Sequence, residues 1–222
     1  MRDSYRDELN ATTELIVTVA GLVRTAVQDA TTALVTADLT VAERVISGDA
    51  RIDELNKEIE QRSFQLLARQ APVAGELRTV VAVLRMSYSL DRMGDLAAHI
   101  AKIARLRYPE VAAPEPVADQ IKQMAETADS MIATAITTLE NRDAEAAAGL
   151  ATADSKMDEL RSDQFHLLLS DDWEYGVEKA VDTALLGRYY ERIADHAVAM
   201  GARTIYIVTG EAPEGENWPS SF

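Results

Sequence analysis

The chain has 222 residues, 47% of them hydrophobic, which is enough for one large core or two small ones. Its formal charge of −15, from 37 acidic against 22 basic residues, works against direct binding of DNA or RNA and suits cations or a basic partner surface. The absence of cysteine excludes disulfides, thiolate zinc sites and a Cys nucleophile, and no apolar run reaches the ~18 residues of a membrane span or forms a secretory leader, so a soluble, cytoplasmic protein is expected.

Helical periodicity runs almost throughout. Leu9, Ile16, Val19, Val23, Val27, Ala30 and Leu34 recur at threes and fours and predict a first helix near 4–37. Asp38 breaks it, and Thr40 is the expected N-cap of a second helix near 40–69 that carries Ile52, Leu55, Ile59 and Leu66 inward. Pro72 and Gly75 punctuate the chain before a third helix near 75–107. That helix has one apolar stripe at Leu77, Val81, Leu84 and Tyr88 and another at Leu90, Met93, Ala97 and Ile100. Pro109, Pro114 and Pro116 mark a linker over 109–116, so the expected units are 1–108 and 117–209. In the second unit Ile121, Met124, Ala128, Ile132, Ala135 and Leu139 predict a fourth helix near 117–141. A fifth follows near 143–169, then a turn over 170–176, a sixth helix near 175–208, and a polar tail over 210–222 with Pro213, Gly215 and Pro219. No β-alternation competes, and the expected fold is all-α, two tandem three-helix bundles.

The two halves read as copies. A shift of 105 residues carries Ala30, Leu34, Asp38, Asp49, Asp53, Glu54 and Leu55 onto Ala135, Leu139, Asp143, Asp154, Asp158, Glu159 and Leu160. In the third helix the shift becomes 100, and Asp91, Arg92, Asp95 and Ala97 fall on Glu191, Arg192, Asp195 and Ala197. Such a repeat means two like structural units related by a pseudo-two-fold axis.

The repeated acids are where chemistry would sit. Asp49/Asp53, Asp91/Asp95, Asp154/Asp158 and Glu191/Asp195 are all i,i+4 pairs, so each puts two carboxylates on one helix face at a cost of about 0.2–0.5 kcal/mol. If helices two and three form an antiparallel hairpin about Pro72, Asp49 is level with Asp95 and Asp53 with Asp91. About a centre between Glu174 and Tyr175, Asp154 is likewise level with Asp195 and Asp158 with Glu191. Two four-carboxylate clusters follow. Repulsion and desolvation would raise their pKa values unless a cation relieves them, and an all-oxygen set suits Mg²⁺, Mn²⁺ or iron. The bland alternative is a solvated acidic face neutralised by the neighbouring Arg92 and Arg192.

The stretch Leu67-Ala68-Arg69-Gln70-Ala71-Pro72-Val73-Ala74-Gly75-Glu76-Leu77-Arg78, with Leu90-Asp91-Arg92-Met93-Gly94-Asp95 and Glu191-Arg192-Ile193-Ala194-Asp195-His196-Ala197, resembles the PhoU family of phosphate-uptake regulators. The resemblance covers nearly everything outside the tail. It implies two three-helix bundles and metal clusters on paired acidic motifs, here at Asp49, Asp53, Asp91 and Asp95, and at Asp154, Asp158, Glu191 and Asp195. It also implies a role at the cytoplasmic face of the membrane, repressing the phosphate-starvation response. The implied partners are the ATPase of the phosphate ABC transporter and the phosphate-sensing histidine kinase, with homodimerisation open. The usual motif opens with Glu and follows its second Asp with His. The first half has Asp91 and Leu96 there, whereas the second keeps Glu191 and His196 but has Ala194 for the usual Gly, so the two sites are expected to differ.

No catalytic constellation emerges. A ferritin-like di-metal enzyme is one alternative, but it needs Glu three residues before His, which His99, His166 and His196 all lack. A metal-free helical adaptor is another. No Gly-rich phosphate loop is present. Trp173, Tyr189, Tyr190, Met86 and Met93 read as packing residues, and the arginines Arg85, Arg92, Arg188 and Arg192 as partners of nearby carboxylates rather than of phosphate.

Overall fold

The computed structural model of the chain describes residues 2–69, 72 and 74–211. Six helices account for nearly all of them: α1 Arg2–Thr36, α2 Leu39–Arg69, α3 Gly75–Arg107, α4 Glu115–Asn141, α5 Ala144–Leu168 and α6 Gly176–Thr209. There is no strand among the described residues. Most of the tail expected over 210–222, with Pro213, Gly215 and Pro219, lies outside them, as do Gln70, Ala71 and Val73 of the quoted turn.

The corners between α1 and α2 and between α4 and α5 are built alike. Ala37 and Arg142 adopt left-handed backbone at φ 52° and 54°, and each is followed by an Asp. Asp38 Oδ1 accepts from the Val41 N–H at 3.0 Å, and Asp143 Oδ1 from the Ala146 N–H at 2.9 Å, so both helices start on an N-terminal Asp cap. Asp38, and not Thr40, is therefore the cap of α2. The sequence points to Thr40 because Thr is itself a favoured cap residue and Asp38 reads as the break that ends α1. Pro116 also lies inside the first turn of α4 rather than in the linker, a position where a missing N–H costs nothing.

Within the first half α1, α2 and α3 pack on one another, and within the second α4, α5 and α6 do the same. Between halves α1 meets α4 and α3 meets α6, so the packing scheme is unchanged when the halves are exchanged. One continuous apolar core runs from Ile16, Val23 and Leu34 through Met86, Met93 and Ile100 to Ile121, Met131, Leu186 and Tyr190. The inward positions read on α1, α2 and α4 are all buried. On α3 only the second stripe is: Leu77, Val81 and Leu84 are half-buried and Tyr88 is 57% exposed, while Val80, Val83 and Met86 take the core positions.

Polar links also tie the halves. Arg24 grips both oxygens of Asp129 at 2.7 and 2.8 Å, with Gln28 donating to the same carboxylate. The fully buried Tyr190 hydroxyl shares a hydrogen bond with Thr31 at 2.8 Å. Arg107, at the end of α3, pairs with the buried Asp182 at 2.5 Å and with Glu178, both on α6.

Candidate metal centre

The packing of α2 on α3 brings the first-half carboxylates together in the expected register. Asp49 is half-buried, and burial, then Asp53, Asp95 and more weakly Asp91, push its carboxyl above the usual range. Asp91 is raised likewise, first by burial and then by Asp95 and Asp53. Asp49 comes close because Gly94 faces it: a Cβ at Gly94 would lie 3.2 Å from Asp49 Oδ1 and 3.3 Å from Ile52. Asp95 meanwhile turns one oxygen to Arg92, at 2.9 Å.

Three of these acids, Asp53, Asp91 and Asp95, edge a cleft of about 420 Å³ whose lining also includes Asn56, Lys57, Glu60, Ser87 and Tyr88. Asn56 is 7% exposed; its Oδ1 accepts from the Ser87 hydroxyl at 2.9 Å, and its Nδ2 is buried without a hydrogen-bond partner among the described residues. The amide lies beside Asp91 and favours its charged form, without the geometry of a good hydrogen bond.

In the second half α5 and α6 pair Asp154 and Asp158 with Glu191 and Asp195. Burial and then Asp195, Asp158 and Glu191 raise Asp154, and burial and then Glu191 raise Asp195 against the pull of Arg188 and Arg192. Arg92 and Lys57 stand beside the first cluster, but here arginines engage both oxygens of one acid. Arg161 Nε donates to Glu191 Oε2 at 3.3 Å and Arg188 Nη1 to Glu191 Oε1 at 2.6 Å. Arg161 is held by Gln164 Oε1 at 2.6 Å and by the Phe165 ring 4.0 Å from its guanidinium carbon. Arg192 approaches Asp195 at 4.0 Å.

As the side chains stand, no three His, Asp or Glu among the described residues form a group arranged to hold a metal ion. In the first half the donor set still fits one. Asp53, Asp91 and Asp95 share a water-accessible cleft with the Asn56 amide, Glu60 and one cation, Lys57, with Asp49 behind them, and Asp49 and Asp91 already bear the burial and like-charge cost that a metal ion removes.

Sequence reading singled out the eight acids but missed Asn56, Ser87, Arg161 and Gln164. The repeat shift held the signal, since 105 residues carry Asn56 onto Arg161. The arginine row pairs with acids as expected at Arg92, Arg188 and Arg192. His99 and His166 are exposed, while His196 is half-buried, its Nε2 unpartnered among the described residues and its pKa lowered by burial and then by Arg192 and Arg92.

Against known proteins, the sequence matches the family described as the PhoU domain twice, over residues 16–104 and 121–204, once in each half. It is 41% identical over 221 residues to the "Phosphate-specific transport system accessory protein PhoU homolog 1" of Mycobacterium leprae, covering all of both chains. It is 42% identical over 213 residues to PhoU homolog 2 of Mycobacterium tuberculosis, covering 96% of this chain and 100% of that one. The fold matches the crystal structure of PhoU from Pseudomonas aeruginosa with a TM-score of 0.85 at 25% identity, covering 93% of this chain and 100% of that one. The phosphate transport system regulatory protein PhoU from Streptococcus pneumoniae gives a TM-score of 0.84 at 25% identity, covering 93% and 98%.

Proposed function

This chain belongs to the PhoU family, and on that premise we propose that it is an accessory regulator of phosphate transport that represses the phosphate-starvation response when phosphate is plentiful. The observation that carries this reading is end-to-end identity of 41% with a phosphate-specific transport system accessory protein. The partners in this reading are the ATPase of a phosphate ABC transporter and the cytoplasmic part of a phosphate-sensing histidine kinase. The protein works in the cytoplasm and reaches the inner face of the membrane through them; no helix among the described residues is long and apolar enough to cross it. Regulation here is by docking, without turnover of a substrate. A chain of formal charge −15 whose described surface is mostly helix faces suits recognition of basic patches on both partners.

A divalent ion belongs to the same proposal. Asp49, Asp53, Asp91 and Asp95 would hold it, and it would supply charge neutralisation that ties α2 to α3. Docking is tested by measuring binding of the purified chain to the transporter ATPase across a salt series. Affinity should fall at least ~10-fold between low and physiological ionic strength. Absence of binding to either partner at low salt would remove the docking reading.

A further inference from the structure

The halves share helix order, packing scheme and acidic positions, but not the residues that face those acids. At the position of Asn56 the second half has Arg161; at Ser87 it has Gly187, and at Gly94 it has Ala194. The three changes act together. Gly187 clears the space that the α5 side chains fill: a Cβ there would stand 1.9 Å from Gln164 Oε1 and 2.8 Å from Arg161 Nη1. Arg161, 12% exposed at its side chain, then reaches Glu191, whose two oxygens are both engaged, one by Arg161 and one by Arg188. Ala194 adds a methyl at the point where Gly94 lets Asp49 approach.

The geometry points to two unlike sites: the first cluster, Asp49, Asp53, Asp91 and Asp95 with Asn56, takes a divalent cation, and the second is closed by Arg161 and takes none. This rests on the metal reading given under the proposed function. A dication entering the second site would have to strip two guanidinium groups from Glu191 and sit beside the buried charge of Arg161, where repulsion is little screened. The first site offers a neutral amide at the equivalent point; its cations, Lys57 at the cleft and Arg92 on Asp95, leave both oxygens of Asp91 without an arginine among the described residues. Rotating the Asn56 amide by half a turn keeps its shape and exchanges its ends, so that Nδ2 donates to Ser87 and Oδ1 takes the buried place beside Asp91. An amide oxygen among carboxylates is a donor set for a hard cation. On this inference the difference expected from the motifs lies in the surrounding groups: Glu191 and His196 keep the usual letters while Arg161 and Gly187 around them do not match Asn56 and Ser87.

The test is titration of the full-length chain with Mn²⁺ at neutral pH, reading free Mn²⁺ by electron paramagnetic resonance, with circular dichroism as the folding control. Asp91→Asn and Asp53→Asn, which keep side-chain shape, should weaken binding at least ~10-fold, while Glu191→Gln and Asp158→Asn should change it less than ~2-fold. Arg161→Asn, if it folds, should add Mn²⁺ binding that Glu191→Gln then removes. Equal losses from Asp91→Asn and Glu191→Gln would overturn the asymmetry and leave the metal reading standing. No binding by the wild-type chain would instead remove the metal reading, and this inference with it.

Discussion

At the scale of single residues, the charges that matter are those whose solvation the fold has changed. Asp129 is held below the ordinary carboxylate range, chiefly by its hydrogen bonds from Arg24, opposed by its burial. A depressed folded pKa contributes stability that is present above the unfolded value near ~3.9 and is lost as pH falls through the folded one. Asp129→Asn should therefore cost about 1 kcal/mol at pH 7, modest because the pair is partly solvated, and progressively less below pH ~4. Chemical denaturation of both proteins from pH 7 to pH 2 reads this, and a pH-independent difference would contradict it. Asp49, Asp91, Asp154 and Asp195 have the opposite sign. Their raised pKa values mean that the native state loses stability as pH rises from the unfolded value through the folded one, a loss that a bound cation offsets. The acids were legible in the sequence because i,i+4 spacing and register are one-dimensional facts. Asn56 and Arg161 were not read, because an Asn or an Arg on a helix shows no sign of its partner until the facing helix is in place.

At the scale of helices, close approach decides where a side chain is tolerated. Gly201 on α6 packs against α5: a Cβ there would stand 2.6 Å from Leu150 Cδ1 and 3.0 Å from the Ala147 carbonyl oxygen. The carbonyl belongs to helix backbone and yields little, so Gly201→Ala should destabilise by about 1–3 kcal/mol through overpacking. Gly149, on α5, has nothing within 4 Å of its would-be Cβ, and Gly149→Ala should stabilise by up to ~1 kcal/mol from helix propensity alone. Thermal melts of the two variants should move in opposite directions; a shift of the same sign in both would contradict this packing. Helix number and limits were readable to within a few residues because the apolar period is long and unbroken. The error on α3 came from its having two apolar stripes. Periodicity alone does not rank them; with α1, α2 and α6 all packed on α3, Met86 is buried and Tyr88 is left outside.

At the scale of the whole molecule, the repeat gives like units and the tertiary structure joins them. The apolar core is continuous across the halves, and Arg24–Asp129, Thr31–Tyr190 and Arg107–Asp182 span them. Arg107 is the costliest of these links to lose, since its removal would leave the Asp182 charge buried and unpaired. The joined halves form one acidic helical body, and in the proposed reading it is this body that the partners recognise. The sequence shows the duplicated frame; what distinguishes the two sites lies in side-chain contacts between helices. The central claim, repression of phosphate-starvation genes, is tested most directly by transcript levels of those genes after deletion of this gene and any sister copy, in phosphate-rich medium. The account predicts that they stay high and return to the repressed level when the wild-type gene is restored; normal repression in the deletion strain would contradict it.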